Sequence, residues 1–403
     1  MIHLSYGIHA GIDLEIEESR LQGVFRAPVG GDDVLAMARA ALDEPLDFPP
    51  LEQSIIPDDH ISLVLDDDLP GMAGVLRAVW ERLAARGVSP ENVTILQAEG
   101  ATRDPRNELP PEIRDRVKWS VHTRPAEEAG DLHYLATTAG GERIYLAEEL
   151  VFADVVLTVG RIGFDPILGF RGTHSQFFPA FSSQEAYRRA QGQGHSELAP
   201  ENDRPLRQLV DEIGWLLGAA YSVQVIPSSA GGVSRVLAGA SESVLRRGRE
   251  LLLADWRLGI NQRSETVVVA VDHSAEGNGW ERISVALALA QRLVSRDGRI
   301  IVLSELTEQP GPGVNQLRHA EQSTDIVRAL REQVPADLMA ATQFATAVDW
   351  ARVYLLSRLD GDLVEELFCV PVESGEEVVR LLANTGDNCL FIEAAQFADG
   401  RVS

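Results

Sequence analysis

Ile61-Ser62-Leu63-Val64-Leu65, running into Asp66-Asp67-Asp68-Leu69-Pro70, decides how this chain is built. The short apolar run reads as a strand, and beyond the acidic turn Val75, Leu76, Val79, Trp80 and Leu83 recur at helical spacing until Gly87 and Pro90 close the segment. A second strand, Val93-Thr94-Ile95-Leu96, follows and ends in Glu99-Gly100-Ala101-Thr102-Arg103. Short apolar runs alternating with amphipathic segments indicate βαβ units around a mostly parallel sheet. Both turns leave the carboxyl ends of strands, where open α/β sheets place their ligands.

Farther along, Asp154-Val155-Val156-Leu157-Thr158-Val159 feeds a glycine-rich turn from Gly160 to Ser175. Tyr221 to Ile226 and a helix over Ser241 to Leu253 complete the expected first domain, residues 1–263. After the polar link Asn261-Gln262-Arg263-Ser264-Glu265 the alternation restarts with a strand at Thr266 to Val271, a helix from Glu281 to Ser295 and a strand at Gly298 to Leu303. Residues 264–403 are therefore expected to form a second domain. The predicted class is α/β, two Rossmann-like parallel-sheet domains with a cleft between them, and Glu308 to Gly313 reads as a turn.

Composition narrows the partners. Thirty-six basic against 61 acidic side chains leave a formal charge of −25, which repels a polyanion and argues against nucleic acid. A small organic anion stays open, since arginines focused in a cleft outweigh a distant surface that is screened beyond ~8 Å. No apolar run approaches the ~18 residues of a membrane span, and Met1 to Gly7 lacks the basic and apolar regions of a leader, so a cytoplasmic location is expected. Cys369 and Cys389 lie in apolar strand-like runs and read as buried free thiols. A homo-oligomer is left open. Lys118 is the only lysine in the chain.

Gly160-Arg161-Ile162-Gly163-Phe164-Asp165-Pro166-Ile167-Leu168-Gly169-Phe170-Arg171-Gly172-Thr173-His174-Ser175, read with Leu63 to Pro70, resembles the lactate racemase (LarA-like) family. That resemblance implies a nickel-pincer nucleotide and hydride transfer on a hydroxy acid, with a histidine on each face of the substrate. In the first loop Asp66 matches the family's aspartate, whereas Leu69 stands where an arginine precedes the proline. In the second, Arg103 matches and Thr102 takes the place of a catalytic histidine. In the third, Asp165 replaces the other histidine, Gly172 is kept, His174 stands for an arginine and Ser175 for the lysine that tethers the cofactor. His195 corresponds to the histidine that ligates nickel, Trp350 to the site tryptophan, and Val285 occupies the place of a further lysine.

The resemblance thus implies a cofactor held noncovalently by Gly169, Phe170, Arg171, Gly172 and Ser175, with nickel on His195. The substrate, an α-hydroxy or polyhydroxy (sugar) acid, would meet Asp66, Thr102, Arg103 and Trp350, and Asp165 or His174 would move the proton. Threonine cannot act as a base, and aspartate at its ordinary pKa of ~3.9 is a weak one beside histidine at ~6.5. Each residue also has a structural reading. Asp66 to Asp68 suit a helix cap as well as a metal- or hydroxyl-binding cluster, Asp165 before Pro166 suits a turn, Trp350 suits a core, and Arg103 and Arg171 suit an ordinary surface. The alternative function is a non-catalytic relative that binds a nucleotide or an organic acid. A nicotinamide dehydrogenase is disfavoured because no acidic residue follows the glycines at the required spacing.

Overall fold

The computed structural model describes the chain except residues 9, 102, 127–131, 195–197, 273–278, 385 and 403 and the side chains of 324 and 325. Two compact units emerge, each assembled from separate stretches: Val29–Pro227 with Gly232–Leu253, and Met1–Pro28 with Ser228–Gly231 and Ala254–Ser403. These bounds differ from the expected division at residue 263.

In the unit containing Val29–Pro227, a six-stranded sheet runs in the order Val233–Ala240, Tyr221–Pro227, Val155–Arg161, Ile61–Leu65, Val93–Gln97, Lys118–Val121. All neighbours are parallel except the first pair. Side chains alternate across the sheet, so Ile61, Leu63 and Leu65 join one core while Val64 joins the other with Leu96, Val156, Leu206, Val210 and Ile213. This explains why Ile61–Leu65 is apolar almost throughout. The helix Met72–Arg86 has no side-chain cap at its start but buries Val75, Leu76, Val79 and Leu83. At roughly 1.5–3 kcal/mol for each such side chain, that face outweighs the ~1 kcal/mol a cap contributes.

The chain leaves Ile61–Leu65 for Val93–Gln97 and Lys118–Val121, then returns to the other side of the central strand at Val155–Arg161. The reversal lies between Ile61–Leu65 and Val155–Arg161. Their carboxyl ends, at Asp66 and Arg161, therefore flank the switch point, where an open sheet leaves a crevice.

The other unit holds a wholly parallel sheet ordered Cys369–Val372, Arg352–Leu356, Val294–Leu303, Ser264–Ala270, Cys389–Ile392, Leu21–Phe25. The antiparallel pair Ile2–Tyr6 and Ala10–Leu14 covers it with Ile2, Leu4, Ile12 and Leu14. Leu21–Phe25 pairs with a strand near the opposite end of the chain, which is why the N-terminal segment belongs to this unit rather than to the one that follows it in sequence. Cys369 and Cys389 are free and buried, as expected, and burial pushes both thiols up. Among the described residues no helix is long and apolar enough to cross a membrane.

Candidate functional site

Asp66 cross-links the two strand ends at the switch point. Its amide donates to Val159 O at 3.0 Å, its Oδ2 accepts from the Arg161 amide at 3.0 Å, and its Oδ1 accepts from an Arg171 guanidinium nitrogen at 3.4 Å. Glycine at position 160 leaves room for these groups, because a Cβ there would stand 2.6 Å from Asp66 Oδ2 and 2.2 Å from Gln176 Nε2 and displace both side chains. Behind the turn Gln176 donates to Val159 O at 2.9 Å and accepts from Gln224 Nε2 at 2.6 Å. The Arg161 and Arg171 side chains converge over Gly163, where a Cβ would lie 3.1 Å from one and 3.5 Å from the other.

Beside it, Asp67 is held on one oxygen. Gln97, at the end of the neighbouring strand and 1% exposed, donates through Nε2 to Asp67 Oδ1 at 3.0 Å. Trp119 Nε1 donates to Gln97 Oε1 at 2.8 Å, which turns the Gln97 amide so that its NH2 faces Asp67. Surrounding protein pushes Asp67 up to about 7, with the charges of Asp66 and Asp68 adding and Arg171 and Gln97 opposing. Its own surface is nonetheless exposed. The like charges of Asp66 and Asp68 disfavour a third carboxylate beside them, and the one neutral donor, Gln97, offsets that only in part.

Elsewhere on this edge His122, just after Lys118–Val121, is buried with Nε2 3.4 Å from Ser182 O, and burial lowers its pKa. Arg124 pairs with Glu99 at 2.7 Å and lies 4.1 Å above the Tyr187 ring. Gln97, Trp119, His122 and Arg161 belong to no motif that marks them as site residues in the sequence. One signal was present: a polar residue closing the apolar run Val93 to Leu96.

Several expected residues are engaged in structure instead. Asp165 Oδ1 accepts from the amides of Ile167 at 2.8 Å and Leu168 at 2.7 Å, forming the bend of the hairpin Gly163–Asp165 and Gly169–Arg171. These bonds are those of the turn reading. Both ring nitrogens of His174 face acceptors, Ala219 O at 3.2 Å and Asp211 Oδ1 at 3.4 Å, and Ala219 precedes the amino end of Tyr221–Pro227. Burial tends to raise Asp211, yet His174 and Arg207 hold it down to about 2, as befits a structural ion pair. Arg103 is paired with Glu108. Trp350 belongs to the other unit, at the amino end of Arg352–Leu356, where its Nε1 donates to Val294 O at 3.1 Å and Arg263 and Arg296 lie 4.9 and 5.1 Å from its ring centre. Thr102 and His195 lie outside the described residues.

The glycine-rich turn is also committed to its own packing. Phe170 is buried, 4.5 Å beneath Arg249. Ser175 Oγ accepts from the Gly172 amide at 2.8 Å and donates to Gly172 O at 3.1 Å. The Ser175 hydroxyl, in the place of a tethering lysine, is thus engaged with Gly172, and Lys118 opens an edge strand at the opposite, amino end of the sheet. Among the described residues no three histidine, cysteine or acidic side chains gather to hold a metal.

Residues 6–195 match the model of the lactate racemase N-terminal domain. No curated relative matches the chain by sequence. Among solved structures, the lactate racemase apoprotein from Thermoanaerobacterium thermosaccharolyticum superposes with a TM-score of 0.82 at 16% identity, covering 99% of each chain. A protein from Thermotoga maritima superposes with a TM-score of 0.64 at 14% identity, covering 93% of this chain and 100% of the other. Residues 6–195 are similar to the lactate racemase N-terminal domain, on a chain whose fold resembles that of the lactate racemase apoprotein.

Proposed function

We propose that this protein binds the anion of an α-hydroxy or polyhydroxy acid at the carboxyl ends of Ile61–Leu65 and Val155–Arg161 and acts on it as a racemase or epimerase. The observation that carries this reading is the Asp66, Arg161 and Arg171 constellation at the switch point. A guanidinium is a forked donor suited to a carboxylate, and an aspartate beside it accepts from a hydroxyl, so the pair addresses the two groups of a hydroxy acid. Any nickel-pincer nucleotide is held noncovalently in this reading, and when bound it supplies the acceptor for the α-hydrogen as hydride. The chain's own part is to bind and orient the acid.

Calorimetric titration with gluconate and with lactate tests the binding. Arg171→Ala is expected to weaken binding of whichever acid is taken by at least about tenfold, about 1.4 kcal/mol. Unchanged affinity would remove the site from the reading. Protein loaded with the cofactor and then denatured is expected to show the bare polypeptide mass. A retained nucleotide-sized increment would mean that some other group serves as the tether. The engagement of Asp165 and His174 favours a second reading, a binding relative without turnover, and interconversion of epimers by loaded protein separates the two.

A further inference from the structure

Three carboxylates in a row are a poor place for an anion. Asp66 is compensated by the Arg161 amide and by Arg171, but Asp67 receives one neutral donor, Gln97, among the described residues. That donor is aimed rather than incidental: a nearly inaccessible amide is fixed by Trp119 from behind, leaving Asp67 Oδ2 as the open oxygen of an exposed residue at the switch point. The charged groups that act on Asp67 are Asp66, Asp68 and Arg171. A bound carboxylate adds one more negative charge to this set.

We propose that the site takes up its acid together with one proton, carried by Asp67, whose protonated Oδ2 donates to the carboxylate of the bound acid. Resting on the binding proposed above, this names the form that is bound: an organic-acid anion plus a proton. No bond to carbon is made or broken; the proton comes from solvent and returns there on release. A neutral carboxyl removes one of the three charges opposing the ligand and supplies a short O–H···O bond to it. Asp67 already stands at about 7 before ligand arrives, which leaves the remaining cost of protonation small near neutral pH.

The experiment is calorimetric titration with gluconate, and separately with lactate, in phosphate and in Tris, whose ionisation heats differ. The expected result at pH 8 is uptake of about one proton per acid bound, with affinity falling about tenfold per pH unit between about pH 7 and pH 9. In Asp67→Asn, whose amide is a neutral donor in the same place, uptake is expected to vanish and affinity to become flat with pH, near the wild-type value at low pH. Asp68→Asn, which removes a neighbouring charge but not this donor, should retain the uptake. Binding with equal heats in both buffers, or uptake that persists in Asp67→Asn, overturns the inference while leaving the acid site intact. Failure of both acids to bind overturns the inference and the proposed function together.

Discussion

Asp399→Asn is expected to lower the stability of this protein by about 3 kcal/mol, within the ~3–5 kcal/mol typical of removing one partner from a buried ionic cluster. Asp399 opens the strand Asp399–Val402 opposite Arg257 and is almost fully buried. Arg257 approaches its Oδ2 at 3.0 Å, Arg292 its Oδ1 at 3.2 Å and Arg401 its Oδ2 at 3.9 Å. Burial lowers the pKa of Arg292, Asp399 raises it, and Arg401 and Arg257 lower it further. The guanidinium groups of Arg257 and Arg401 therefore act against Arg292, and all three share the Asp399 carboxylate. If these were separate surface pairs, each would contribute only ~0–1 kcal/mol, but they share one desolvated anion whose loss removes an ion-pair partner from all three arginines at once. Urea unfolding checks this, with added salt expected to recover part of the loss by screening the arginines. A loss below about 1 kcal/mol would show that the cluster behaves as an ordinary surface array.

How far the sequence reveals this molecule depends on the range of each signal. The strands at Ile61, Val93, Val155 and Tyr221 and the helix after Asp66 stand close to where their apolar spacing puts them, because burial on two faces leaves a local imprint. The division into units does not, since the pairing of Leu21–Phe25 with Cys389–Ile392 spans nearly the whole chain and has no local signature. The same contrast governs the site. Asp66 could be placed at a strand end from sequence, and the turn-forming reading of Asp165 was available from Pro166 beside it. Gln97 and Trp119 matter to Asp67 only because parallel pairing brings Val93–Gln97 between Ile61–Leu65 and Lys118–Val121. Trp350 shows the same limit: a tryptophan on an amphipathic segment resembles a site residue, while its contacts with Val294 O and two arginines depend on distant pairing that no local spacing reveals.

Gly169 separates the two readings of the glycine-rich turn, and Gly169→Ala is expected to cost about 3 kcal/mol, combining roughly 1–2 kcal/mol for left-handed backbone with roughly 1–3 kcal/mol for overpacking. Its φ is +78°, and a Cβ would sit 2.2 Å from Pro200 O, a backbone atom that cannot swing aside as a side-chain end can. Relief requires moving either the Pro200 segment or the hairpin Gly163–Asp165 and Gly169–Arg171. The second route displaces Arg171, so weaker acid binding should accompany the lost stability. Gly100→Ala is the control: its φ is +103° but a Cβ there would meet nothing within 4 Å, leaving only the backbone cost of ~1–2 kcal/mol. Thermal unfolding of the two variants without ligand measures the difference. If Gly169→Ala proves no less stable than Gly100→Ala and instead loses only cofactor affinity, the glycine serves a ligand, as the sequence resemblance implies. A larger loss in the ligand-free protein means that the turn's tight backbone is required by Pro200 and Arg171 before any cofactor arrives.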